Sequence, residues 1–205
     1  YDSLIMNYQN QLMTSTFLGN KGVLLDFYTS APVKLACEFK KRRQYNNLLE
    51  CPYCGKPNTP NTIDHFIPKD DWPEFAIYPK NLVPQCRDCM PIKGEEYFCN
   101  TNSMTKFIHP ILLNYLSEIK FEIRITFCTT NNTINDYEIK IIHPQNFTQL
   151  NRVKLHLKSL NVKKRIQIYC NKEFKKWEKL RKKKQFSITR ALRVELKKVN
   201  KIYIL

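Results

Sequence analysis

Four of the eight cysteines stand in two pairs, Cys51-Pro52-Tyr53-Cys54 and Cys86-Arg87-Asp88-Cys89. Two residues between cysteines let a tight turn aim both sulfurs at one ion, and zinc in structural sites prefers four tetrahedral thiolates. With cysteine at all four places, no coordination position is left open, so the expected Zn2+ is structural. Redox chemistry or unconnected core cysteines are the plainer alternative for such pairs. Between the pairs lies Thr62-Ile63-Asp64-His65-Phe66-Ile67-Pro68-Lys69, and Asn81-Leu82-Val83-Pro84-Gln85 leads into Cys86. Taken singly, an Asp-His pair is usually a hydrogen-bonded loop feature and Asn81 a turn cap.

Jointly, these residues resemble the HNH (ββα-metal) endonuclease family, in the variant that runs CxxC, DH, NLVPxC and then CxxCNxxKG. The resemblance is specific over residues 51–94, where Lys93-Gly94 supplies the closing pair. It extends weakly to Phe107-Ile108-His109-Pro110, as in stand-alone bacterial HNH proteins. Among those, the size, lead-in helix and helical tail look most like the nuclease partner of Septu-type antiphage systems, which works beside an ATPase. The resemblance implies phosphodiester hydrolysis, which needs a base to activate water and a cation to stabilise developing charge. It casts His65 as the general base and Asp64, pointing oppositely along its strand, as ligand of a catalytic Mg2+, with Mn2+ as substitute. Asn81 is expected to hold His65 in orientation through the loop it anchors. Lys93 and Arg87 are candidates for phosphate contact, although exposed surface cations are the default reading.

One position departs from the pattern. The family has Asn or His, the second metal ligand, directly after the last cysteine; here it is Met90. A thioether is a soft, neutral donor and a poor partner for Mg2+. Three explanations stand: Asp64 shares the ion with Asp88, Glu95, Glu96 or His109; the site has lost catalysis and kept binding; or an introduced change silences it. His109, in an apolar stretch and followed by proline, reads better as a satisfied core histidine than as a ligand. Nothing singles out His143 or His156.

The elements that must position these groups read as an α+β chain. We expect an N-terminal helical region over 1–50, a zinc-stapled HNH core over 51–117 with two short strands and a short helix, a β-hairpin over 118–145, and a basic helical region over 146–205. The hairpin follows from Phe121, Ile123, Ile125 and Phe127 alternating with polar residues, and from Tyr137, Ile139 and Ile141 in the return strand. Such alternation implies one packed face and one solvated face. Leu150, Val153, Leu157 and Leu160 then step at helical spacing, as do Ile166, Cys170, Phe174, Trp177 and Leu180, and finally Ile188, Leu192, Leu196 and Val199, with Ser187 as an N-cap.

Charge supports a polyanionic partner. Residues 1–150 hold 15 Lys/Arg and 15 Asp/Glu, whereas 151–205 hold 19 against 3, which accounts for the whole net charge of +16. A neutral body with a basic tail points to nucleic acid, DNA ahead of RNA, against the plainer reading of a solvated lysine face. Two other classes remain: a catalytically silent HNH-like binding subunit, and a zinc-ribbon adaptor whose tail docks an acidic protein. CxxC pairs with scattered Cys37, Cys99, Cys128 and Cys170 suit a reducing cytoplasm, and no run is long and apolar enough for a membrane span. The chain opens on Tyr1, so residues are expected before it. It carries no nucleotide-binding loop, so any ATP dependence belongs to another chain.

Overall fold

The computed structural model describes residues 1–57, 59–128 and 133–182, which form two compact units. The first comprises Tyr1–Leu116 with Thr148–Leu160; the second comprises Ser117–Phe147 with the described residues from Asn161 onward. The expected last helix around Ile188–Val199, with its Ser187 cap, and the middle of the hairpin loop lie outside the described residues.

In the first unit the N-terminal region is helical in three short pieces, α1 (Asp2–Met6), α2 (Lys21–Thr29) and α3 (Val33–Gln44). The lead-in helix does not run into Cys51: it ends at Gln44, and an irregular stretch with Asn47 at φ 58° follows. Val33 and Leu49 are exposed despite their apolar side chains; Phe39 is the buried residue of α3. Arg42, from the basic run of that helix, donates to the carbonyl oxygens of Pro79 and Leu82 and so ties α3 to the core.

That core is the expected pair of short strands and short helix. β1 (Thr62–His65) and β2 (Leu82–Gln85) are antiparallel, with Asp64 opposite Val83 and His65 opposite Leu82. β2 is buried along its whole length, which an apolar Leu-Val-Pro run tolerates in a two-stranded sheet where proline needs no ladder donor. α4 (Met90–Lys93) follows the second cysteine pair, with Pro91 in its first turn, and Gly94 at φ 52° ends it. A small hairpin of β3 (Phe98–Cys99) and β4 (Met104–Thr105) comes next. α5 (Leu150–Ser159), though distant in sequence, belongs to this unit and buries Arg152, Val153, His156 and Leu157.

The second unit holds the expected hairpin, β5 (Lys120–Cys128) and β6 (Thr133–Ile142), paired from Lys120↔Ile142 to Thr126↔Asp136 with a register shift between Thr126 and Phe127. It also contains α6 (Val162–Lys182), which packs on β6. The apolar face is only partly covered, since Ile123 and Ile125 remain exposed while Tyr137 is buried. On α6, Ile166, Cys170, Phe174 and Trp177 form a half-buried stripe, and Lys163, Lys164, Lys172, Lys175, Lys176 and Lys179 are exposed. Among the described residues no helix is long and apolar enough to cross a membrane.

Candidate active site and metal centre

The two knuckles converge. One ligand atom each from Cys51, Cys54, Cys86 and Cys89 lies within 4.8 Å of all the others, and the Cys54 and Cys86 sulfurs are 3.9 Å apart. Tetrahedral Zn–S bonds of about 2.3 Å place sulfurs about 3.8 Å from one another, so the set fits zinc. Local sequence produces the turn: Cys54 and Gly55 both donate to the Cys51 carbonyl, and Gly55 takes φ 65°, open to glycine without strain. The backbone amide of Cys86 donates to the Cys51 sulfur, which binds the knuckles to one another. Zinc here would fix the end of β2 against the turn before β1.

β1 carries its chemistry on opposite faces, as strand alternation requires. His65 donates from Nε2 to the carbonyl oxygen of Ala76 at 2.9 Å, because a carbonyl only accepts; the lone pair of the neutral ring is then on Nδ1. The Tyr28 ring of α2 stands edge-on to the imidazole, with centroids 4.5 Å apart. Burial pushes the His65 pKa below its ordinary value, outweighing the Ala76 bond and the Asp64 charge, so the ring is neutral at neutral pH.

Asn81 is fully buried and uses every hydrogen-bonding position of its amide. Oδ1 accepts from the Ile67 amide at 2.7 Å and from the Tyr1 hydroxyl at 2.8 Å, while Nδ2 donates to the carbonyls of Ile67 and Phe75, each at 3.0 Å. Ala76, the acceptor for His65, is the next residue along from Phe75. The long connection between β1 and β2 is therefore clamped at two points by one side chain.

Asp64 sits on the other face, in company the sequence does not announce. Its carboxylate accepts from the Tyr53 hydroxyl and lies 3.1 Å from the Lys93 ammonium. The Lys93 side chain is 0 % exposed and that of Asp64 9 %. The same ammonium reaches the carbonyls of His65 at 3.2 Å and Phe66 at 3.3 Å, and lies over the Phe66 and Phe107 rings. Lys93 is thus no surface cation and cannot meet a phosphate from where it stands. Burial and the Asp64 charge together hold the Tyr53 phenol protonated.

A catalytic Mg2+ does not fit these donors. Magnesium takes oxygen ligands in near-octahedral geometry and leans on carboxylate charge. The one carboxylate on offer is already neutralised by a buried ammonium, and Met90, at the place of the second ligand, is a thioether and 53 % exposed. Of the substitutes, Glu95 is exposed and the other three are engaged elsewhere. Asp88 pairs with Lys56, and Glu96 with Lys106. His109 is fully buried, donating from Nε2 to Lys80 and accepting at Nδ1 from Ile111 and Leu112. Burial lowers its pKa to about 4, and it is the satisfied core histidine its context suggested. Among the described residues the four cysteines are the only cluster of three or more His, Cys, Asp or Glu disposed to hold an ion.

Residues 51–95 match the HNH endonuclease family. Over 77 residues the chain is also 39 % identical to protein ea31 of Escherichia phage lambda, a stretch covering 35 % of this chain and 25 % of ea31. The chain thus matches about a quarter of the length of that curated relative. No solved structure matches. Within the HNH segment, spacing picks out the cysteines, Asp64, His65 and Asn81. It misses Tyr28, which lies outside the motif, and Tyr53, at a variable place within the first CxxC pair, and it misjudges Lys93. His156 was also passed over, yet it buttresses the first knuckle: Nε2 donates to the Tyr53 carbonyl at 2.6 Å and Nδ1 accepts from the Ile108 amide at 3.0 Å. Its place three residues after Val153 and one before Leu157, on the apolar stripe of α5, was the available signal.

Proposed function

We propose that this chain hydrolyses phosphodiester bonds of nucleic acid, with His65 as the general base. The observation that carries the reading is a neutral imidazole on β1, tautomerically fixed by Ala76, inside a segment that matches HNH endonucleases. Nδ1 takes a proton from water, the resulting hydroxide attacks phosphorus, the bond to the leaving oxygen breaks, and that oxygen recovers a proton from solvent. Asn81 is a positioning residue, acting on His65 through the connection that carries Ala76. The catalytic Mg2+ or Mn2+ implied by the resemblance has no fitting donor set at Asp64, and the step is read without it. The exposed lysines of α6 supply backbone contacts to DNA, or to RNA in the same manner, carrying little sequence information. Service in antiphage defence beside an ATPase, in the cytoplasm, rests on the Septu resemblance and on thiolates suited to a reducing compartment.

A second reading has its own observation. Met90 at the ligand position and Lys93 on Asp64 favour an HNH-like module that binds nucleic acid without cutting it. Incubating zinc-loaded protein with plasmid DNA and with RNA, with and without Mg2+ or Mn2+, tests both readings when His65→Ala is run alongside. Loss of cleavage in the variant is the expected result. Equal cleavage by both proteins removes His65 as the base. Salt-dependent binding with no cleavage under any condition establishes the silent module instead.

A further inference from the structure

We infer that Lys93 is the standing cation of this site: its ammonium takes up the charge of Asp64 permanently, and the centre binds no divalent ion beyond the structural zinc. Three independent observations converge on this. The Lys93 ammonium is 3.1 Å from Asp64 with its side chain wholly buried, and among the described residues no other carboxylate pairs with it. Two carbonyls and two aromatic faces hold it there, so it is fixed at the bottom of the site rather than swinging between surface positions. The residue that would bring the ion its second donor is a methionine, soft and uncharged.

A hard dication placed on the remaining Asp64 oxygen would find a carboxylate already neutralised, a fixed positive charge beside it and no second anionic ligand. Desolvating the ion for such a site brings no compensating attraction. Displacing the ammonium first would leave it buried and unpaired, at a cost the ion would also have to offset. The arrangement keeps the strand geometry of an HNH centre with a covalently attached cation seated on its carboxylate. It rests on the hydrolytic reading only for its activity readout.

The direct test is binding. The zinc-loaded full chain is titrated with Mn2+ while the signal of free Mn2+ is followed by electron paramagnetic resonance, and with Mg2+ by calorimetry. No saturable uptake through the millimolar range is expected from either titration. One equivalent of bound Mn2+ that disappears in Asp64→Asn overturns the inference. The double variant Lys93→Met with Met90→Asn removes the ammonium and restores an oxygen donor, and should take up one Mn2+. If it folds, judged by intact β1–β2 amide signals, yet takes up none, Lys93 and Met90 are not what excludes the ion and the inference is wrong. If it does not fold, the wild-type titrations decide alone. For activity, His65-dependent cleavage should be equal in buffer stripped of divalent ions and in buffer with Mg2+. Cleavage only with Mg2+, lost in Asp64→Asn, sinks this inference and spares the nuclease; cleavage nowhere sinks the nuclease and leaves the binding result standing.

Discussion

Replacing Asn81 by alanine should release the connection between β1 and β2 at both of its clamps. The amide satisfies three backbone groups, the Ile67 N–H, the Ile67 carbonyl and the Phe75 carbonyl, together with the Tyr1 hydroxyl. A buried backbone group stripped of its partner costs roughly 1–3 kcal/mol, and water entering the vacated space returns part of this, so the three together come to about 3–5 kcal/mol. The Tyr1 hydroxyl, which can turn to another acceptor, is left out of the sum. Since about 1.4 kcal/mol is tenfold, hydrogen exchange at the Ile67 amide should accelerate by roughly a hundred- to a few thousandfold. Exchange read by NMR at that amide, with the Val153 amide of α5 as an internal reference, isolates the local effect from global loss of stability. Protection of Ile67 that stays within tenfold of wild type would show that the Asn81 clamp is not what holds the loop.

Tyr28→Ala should uncover His65 and let its pKa rise toward the ordinary histidine value, because burial is the main cause of the depression; titration of the ring by NMR checks this, and an unchanged midpoint refutes it. Stripping zinc with a strong chelator, or replacing Cys51 with serine, should dissolve the β1–β2 amide signals, since binding at structural thiolate sites is worth about 10–16 kcal/mol in small domains. Stability should also fall with pH. His109 and His156 are held neutral with pKa values lowered from 6.5 to about 4 by burial, so the unfolded chain binds more protons between those limits. Their contribution is fully present above pH 6.5 and drains away as pH drops toward 4. Urea midpoints that hold constant across this window would contradict the assignment.

Much of this was readable in the chain, and the reasons are local. Cysteine spacing predicts a metal knuckle because the turn between the pair is short, and alternation around Phe121–Phe127 predicts a strand because side chains leave a strand on alternate faces. What escaped depends on partners far away in sequence. Nothing within ten residues of Lys93 says that Asp64 and two carbonyls wait for it, so a lysine followed by glycine reads as solvent-exposed. Met90 could be seen to break the ligand pattern, but the ion pair that Lys93 makes with Asp64 could not. Tyr28 meets His65 only because α2 folds back over β1.

The bond from His156 to the Tyr53 carbonyl joins residues 103 apart. The first cysteine knuckle therefore gains its last support only after the intervening hairpin has been synthesised, and the HNH segment does not coincide with a unit that can be cut out by chain position. A fragment ending near residue 117 would carry every motif residue from Cys51 to His109, but it would lack α5, whose imidazole caps both the Tyr53 carbonyl and the Ile108 amide. During synthesis this support for the nuclease-like unit comes only with sequence that lies beyond the hairpin, which makes it a long-range contact.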